Sequence, residues 1–374
     1  MDRRIFLGSA VASAVGATLT ACGGGGSDPA LDPAASMERS RTTTPTVVNP
    51  PTSPKSRVIV IGGGMGGATV AKYLRLWGDA ISVTLVERMP TYTSNIMSSL
   101  VLSGQRTLSS LSYNYDTLRS KYGITTVFGE VVAIDPVNVA VTLADGTVLK
   151  ADRIVMAPGI SFDTVPGLGS SDRMPHAWQA GPQTALLASQ LKAMTAGLNH
   201  NVVLTIPKTP YRCPPGPYER ACLIADWLKV NKPGSKLLVL DANPGIVTEV
   251  DNFTRAFVDL HGAVVEYHPN AEIAEVYTDT MSLKTTSGAV FHGDVINMIP
   301  RQRAGALVTT AGLNNATEGR FAGVNVLSYA STVSGASKVH IIGDASATTQ
   351  PKAGHIANQE AKVCADAISR ILSG

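Results

Sequence analysis

The chain has no run of lysine or arginine long enough to track a nucleic-acid backbone, and its formal net charge is only +3 over 374 residues. Without that electrostatic footprint no nucleic-acid partner is expected. Histidines number seven, and His261, His268 and His292 fall at no ligand spacing, so no metal site is expected. Cysteine is scarcer still, at four. Setting aside Cys22 leaves Cys213, Cys222 and Cys364, and in an oxidising compartment an odd number leaves at least one thiol free or paired elsewhere. What the chain does have is apolar material, 44% of its residues, enough to bury a large core and divide into two domains.

The first 22 residues read as a targeting segment. Asp2-Arg3-Arg4-Ile5-Phe6-Leu7 is a twin-arginine pattern followed by small, apolar residues from Gly8 to Ala21. That stretch is short for a membrane span and lacks a stop-transfer flank. Leu19-Thr20-Ala21-Cys22 resembles the lipobox of bacterial lipoproteins, which implies export to the periplasm and a lipid anchor at Cys22; plain cleavage near Ala21 is the other reading. Residues 23–56, with consecutive glycines and then Pro, Ser and Thr, read as a flexible linker reaching roughly 30 Å.

Arg57 opens an apolar run, Val58-Ile59-Val60-Ile61, that reads as a buried strand. Gly62-Gly63-Gly64-Met65-Gly66-Gly67 and a helical stretch follow. Gly62 permits a tight turn, Gly64 lets the backbone approach a pyrophosphate, and Gly67 lets helix pack on strand, with Gly66 beside it. The helix N-terminus offers free N–H groups to phosphates. A second strand ends in Glu87, twenty residues after Gly67, where a carboxylate accepts ribose hydroxyls and repels a 2′-phosphate; Arg88 adjoins it. The order strand, glycines, helix, strand, acid predicts a dinucleotide site.

Two later stretches point to FAD rather than NAD. Ile154-Val155-Met156-Ala157-Pro158-Gly159 resembles the small-residue crossover of two-domain flavoproteins, with Ala157 and Gly159 in the turn. Val339 to Asp344 is a strand ending in Gly343-Asp344, the resemblance implying that the aspartate binds the ribitol or a phosphate. Lys352 and His355 follow, where a cation would stabilise a reduced anionic ring. Between Pro166 and Ile299 a second α/β set is expected. Its first strand leads not into glycines but into Pro207-Lys208-Thr209-Pro210-Tyr211-Arg212-Cys213-Pro214-Pro215-Gly216-Pro217. Prolines remove N–H donors and glycine approach is missing, so NADH is not the expected donor. Instead a stiff loop fixes one thiol. Arg212, Arg220 and the following helix are expected to lower its pKa; a buried structural thiol is the alternative.

"PHAWQAGPQT" (175–184), "YRCPPGPYERA" (211–221), "DVINMIPRQRAG" (294–305) and "IIGDASATTQPKAGHIANQEAKV" (341–363) resemble the flavoprotein subunit of flavocytochrome c sulfide dehydrogenase, within the wider sulfide:quinone oxidoreductase group. The similarity runs from about Arg57 to Leu372. It implies an α/β fold of two Rossmann-like, doubly wound domains of the FAD/NAD(P)-disulfide-reductase type. The expected division is 57–165 and 300–374 for FAD and 166–299 for the second domain. It implies that Cys213 is one half of a redox-active disulfide above the flavin, attacked by sulfide, with electrons leaving singly to a c-type cytochrome.

Two departures follow from the same resemblance. The family's Tyr-Thr-Cys, which links FAD covalently, is here Tyr92-Thr93-Ser94-Asn95. Ser94 cannot form that thioether, so dissociable FAD is expected, with Thr93 and Ser94 lining the site. The family also continues into a C-terminal domain carrying the second redox cysteine, whereas this sequence ends at Gly374. Cys222 lies inside a helix and Cys364 among core residues, so Cys213 has no obvious partner. The expected function is an exported FAD-dependent oxidation of sulfide or a related sulfur species through Cys213. A partner-dependent electron-transfer subunit is the alternative.

Overall fold

The computed structural model describes residues 48–170 and 172–374. The twin-arginine segment, Cys22 and most of the expected linker lie outside them. Fifteen elements position the site. In the first part of the chain these are β1 (Ser56–Ile61), α1 (Met65–Trp77), β2 (Ile81–Glu87), β3 (Thr125–Phe128), β4 (Arg153–Met156) and β5 (Ile160–Phe162). The central part contributes α2 (Pro182–Ala193), β6 (Asn201–Ile206), α3 (Gly216–Asn231), β7 (Lys236–Asp241), β8 (Val265–His268) and β9 (Val295–Asn297). Finally come β10 (Gln302–Ala304), β11 (Val339–Ile341) and α4 (Gly354–Ser373).

The first sheet is five-stranded and parallel, in the order β11–β4–β1–β2–β3. Its strands are apolar on both faces, as a parallel sheet covered twice requires. Val58 and Val60 face one core with Val70, Leu74, Ala361, Cys364 and Ile368 of α1 and α4. Ile59 and Ile61 face another with Met156, Phe321 and Ile341. The C-terminal strand and helix therefore complete the layer that the first motif begins.

The second sheet is also parallel, in the order β8–β7–β6–β9. One face packs on α2 and α3 through Leu187, Leu191, Ile224 and Leu228. The other packs on a three-stranded antiparallel sheet, with Val203, Leu240 and Ile296 against Val276 and Leu283. Antiparallel β5 and β10 connect the two sheets, pairing Ile160 with Ala304 and Phe162 with Gln302. Just after β5, Asp163 accepts from Arg303 Nε at 2.6 Å and also pairs with Arg320.

The linker boundary needs correction. Ser56 already belongs to β1, and residues 48–55 are held against the body. Val48 N–H donates to Lys121 C=O at 2.7 Å, Lys55 N–H to Ala80 C=O at 3.1 Å, and Arg75 donates to Asn49 C=O. Proline-rich composition marks extended chain; these backbone bonds decide that it is docked.

Candidate active site

The turn after β1 is built so that side chains cannot enter it. Gly62 has φ +92°, and a Cβ there would overlap Ala157 C=O. A Cβ on Gly67 would overlap the Gly62 carbonyl oxygen and stand 2.9 Å from its carbon, and one on Gly63 would strike the Tyr115 ring at 2.5–2.6 Å. Gly64 is different. Its Cβ would meet only Tyr92, at 3.5 Å, so space is left open over the N-terminus of α1. Gly66 packs toward Ile342 instead. Glu87, at the end of β2, accepts the Gly63 N–H at 2.5 Å and the Arg88 N–H at 2.7 Å, which places the ribose acid against the glycine turn. The Arg88 side chain itself is exposed.

The crossover and the Gly-Asp loop meet that turn from the other side. Ala157 N–H donates to Ile61 C=O at 2.8 Å, and Gly159, at φ +68°, accepts from Gly305 N–H at 2.8 Å. Gly343, at φ +71°, gives its N–H to Glu360 at 2.5 Å. Asp344 lies 3.9 Å from Arg212, both side chains being nearly enclosed at 14 and 12% exposure. Burial pushes the Asp344 carboxyl up while Arg212 and Lys352 pull it down. Lys352 donates to Ser346 C=O at 2.7 Å, and its ammonium sits 3.8 Å from the Phe321 ring centroid. Burial lowers it to about 8. His355 is exposed on the first turn of α4. Ser94 is buried, and its hydroxyl accepts Ile96 N–H at 3.2 Å.

Cys213 joins this cluster from the second sheet. Its N–H donates to Lys352 C=O at 2.6 Å, and the neighbouring Arg212 N–H donates to Gln302 Oε1 at 2.8 Å. The proline loop is thus bonded to the loop that follows Gly343-Asp344. Cys213 adopts φ +57°, a left-handed backbone rare outside glycine, immediately before Pro214. Such strain persists only where the surroundings enforce it. A Cβ on Gly216 would stand 2.9 Å from both Cys213 Sγ and the Trp178 ring, so only glycine admits the sulfur at the start of α3.

The expected lowering of the thiol pKa is not found. Burial pushes Cys213 up, Glu219 adds to this, and the Gly216 N–H and Arg212 only partly oppose it. Arg220 does other work. Fully buried, it donates to Asn297 Oδ1 at 2.9 Å and to Ala177 C=O at 2.8 Å, with its guanidinium 4.5 Å from the Trp178 ring. It holds the His176–Trp178 segment against the thiol. His176 is pushed down to about 4 by burial and the two arginines, so its ring is neutral, and Nδ1 accepts the Trp178 N–H at 3.0 Å. Cys213, Cys222 and Cys364 are all free, and Cys364 is fully buried on α4.

Two contributors, Glu360 and Tyr115, went unnamed in the sequence reading. Glu360 is 4% exposed, also faces the Ser346 hydroxyl, and burial raises it to about 7. A signal existed, since Glu360 stands on the apolar stripe of Ala357, Ala361 and Cys364. Tyr115 borders the glycine turn from a distant position that no local pattern marks, and Tyr92, which opens the Tyr92-Thr93-Ser94-Asn95 run, borders it at Gly64.

Residues 184–300 match the central region of the sulfide dehydrogenase (flavocytochrome c) flavoprotein chain family, and residues 56–193 match the pyridine nucleotide-disulphide oxidoreductase family. A 45-residue stretch is 51% identical to the sulfide dehydrogenase (flavocytochrome c) flavoprotein chain of Chlorobaculum thiosulfatiphilum, covering 12% of this chain and 94% of that sequence. The chain belongs to the flavocytochrome c sulfide dehydrogenase flavoprotein family.

Other curated relatives overlap less. Apoptosis-inducing factor homolog B of Dictyostelium discoideum is 35% identical over 108 residues, 29% of this chain and 26% of that one. The match to it and to its neighbours spans about a quarter of their length. Among solved structures, the sulfide:quinone oxidoreductase of Aquifex aeolicus superposes with a TM-score of 0.71 at 19% identity, over 85% of this chain and 77% of that one. A NAD-dependent persulfide reductase from A. fulgidus gives 0.65 at 15%, over 84% and 59%. These likenesses establish the fold, that of FAD/NAD(P)-disulfide oxidoreductases. As a family member the protein is an FAD-dependent oxidoreductase.

The residues present fit FAD. Gly62, Gly63 and Gly67 leave no room for any side chain, Gly64 leaves a gap, and Glu87 stands at the ribose position. Tyr115 Oη, beside the glycine turn, is buried without a protein partner, the condition of a polar group that awaits a ligand.

Proposed function

We propose that this protein oxidises sulfide, or a related small sulfur species, at Cys213 and passes the electrons to a c-type cytochrome. The observation that carries the reading is the 2.6 Å bond from Cys213 N–H to Lys352 C=O, which ties the thiol to the loop after Gly343-Asp344. Bound FAD would supply the acceptor for the electron pair, and solvent would take the thiol proton, when hydrosulfide bonds to Cys213 Sγ as a persulfide. The remaining work belongs to the chain. Gly62, Gly64, Gly67 and Glu87 hold the dinucleotide end, while Asp344 and Ser94 line its far side. The proline loop fixes Sγ in place, meeting the proximity requirement of thiol chemistry. Arg212, with one buried nitrogen unpartnered, attracts an anionic sulfur species, and Asp344 balances its charge. Neutral His176 keeps the Trp178 segment against the thiol without adding charge.

The cytochrome acceptor is taken from the name of the Chlorobaculum relative. Periplasmic export by the twin-arginine route, with or without a lipid on Cys22, follows from the sequence pattern. Non-covalent FAD follows from Ser94. A second reading, an electron-transfer subunit that depends on a partner, draws on the free state of Cys213, which has no disulfide partner among the described residues. The deciding experiment adds sulfide anaerobically to purified protein and follows flavin bleaching. Bleaching in wild type and its loss in Cys213→Ala is expected. Equal bleaching in both removes Cys213 from the chemistry, and none in either supports the partner-dependent reading.

A further inference from the structure

In a dinucleotide-binding unit the acid at the end of the second strand reaches a ribose. In the second unit of this chain that place, the end of β7, is taken by Asp241. Its carboxylate is fully buried and committed to protein. Oδ2 accepts the Tyr218 and Tyr267 hydroxyls at 2.7 and 2.8 Å; Oδ1 accepts the Asn243 N–H and Nδ2 at 2.9 and 2.7 Å. Four donors saturate a carboxylate, so nothing is left for a sugar. Asn243 in turn reaches the start of the proline loop. Its Nδ2 donates to Pro207 C=O at 3.1 Å, and its Oδ1 accepts Thr209 N–H at 3.1 Å. Tyr218 stands at the loop's other end, in the first turn of α3, two residues after the glycine that admits the Cys213 sulfur. One buried carboxylate therefore binds both ends of the segment that carries the thiol.

We infer that Asp241 and Asn243 are positioning residues for Cys213: the acid site of the second dinucleotide unit has become the anchor of the proline loop. The inference rests on Cys213 being the reacting group, and it assigns to Asp241 the holding of that group rather than of a ribose. The loop is anchored twice, by this pair beneath it and by Lys352 C=O above it. Loss of the lower anchor lets water reach a thiol that burial holds protonated. The titratable and charged groups facing Cys213 are Arg212, Arg220, Asp344, Glu219 and Tyr211, together with the Gly216 N–H; of these only Tyr211 also faces Asp241, and Asn243→Ala leaves every one of them in place.

The test alkylates the FAD-loaded protein with iodoacetamide from pH 7 to 10 and quantifies the Cys213 peptide by mass spectrometry, with the Cys222 peptide as internal control. In Asp241→Asn one acceptor becomes a donor facing donors, and in Asn243→Ala the two loop contacts vanish while both tyrosine bonds remain. Each variant is expected to react about tenfold faster at Cys213 near pH 8, with the midpoint of its pH profile about one unit lower, and with Cys222 unchanged. A folded variant whose Cys213 rate stays within twofold of wild type, or whose melting temperature falls while the midpoint stays fixed, overturns the inference. If Asp241→Asn does not fold, Asn243→Ala carries the test. Alkylation needs no sulfide turnover, so the outcome stands even if sulfide is not the substrate.

Discussion

Gly64 and Gly67 lie three residues apart in one turn, yet alanine should do different things at the two. At Gly67 the added carbon overlaps the Gly62 carbonyl, so the start of α1 must move away from β1 whether or not a ligand is present. Forcing atoms into a packed site costs about 1–3 kcal/mol, and backbone against backbone belongs at the upper end. At Gly64, φ −72° and ψ −163° suit any residue, and the carbon meets only Tyr92 at 3.5 Å. The ligand-free fold should change by less than about 0.5 kcal/mol. The cost appears when a diphosphate must approach that backbone. A penalty of about 1.5–3 kcal/mol corresponds to roughly 10- to 150-fold weaker FAD binding. Calorimetry of the flavin-free protein and titration of FAD by fluorescence separate the two effects. Gly64→Ala with unchanged stability and unchanged FAD affinity would refute the assignment of this turn to the pyrophosphate.

The carboxyl of Glu360 is raised from an ordinary 4.5 to about 7, so an unfolded chain ionises it first. The stability due to the neutral form is complete below about pH 4.5 and lost as pH rises through 7, by at most about 3 kcal/mol. Glu360→Gln should therefore flatten the melting-temperature profile across that window; parallel profiles would contradict it. Arg220→Leu leaves Asn297 and the Ala177 carbonyl without their donor, and a loss of about 3–5 kcal/mol is expected from chemical denaturation. Acid precipitation should leave the yellow colour in the supernatant, since Ser94 provides no thioether; colour in the pellet would show covalent flavin.

The first dinucleotide motif was legible because all its parts lie within 32 residues, from Ser56 to Glu87, and each obeys a local rule of turn, helix start or strand end. The stiffness of the Cys213 loop was legible for the same reason, since proline acts on its own backbone. What escaped was made by distance. Tyr115 reaches Gly63 from across the first sheet, and Asp241 gathers hydroxyls from Tyr218 and Tyr267, so neither role has a short signature. The direction of the thiol pKa escaped for another reason. Two nearby arginines suggested stabilised thiolate, but sequence does not give depth, and burial outweighs Arg212. Residues 48–55 show the same limit from outside, composition marking loose chain where backbone bonds hold it.

The bond between Cys213 and Lys352 joins segments 139 positions apart, one from each parallel sheet. It works like a rivet across a hinge. With β5 and β10 connecting the sheets on one side and this rivet on the other, the halves are fastened at two points and cannot swing apart without tearing the thiol from its seat.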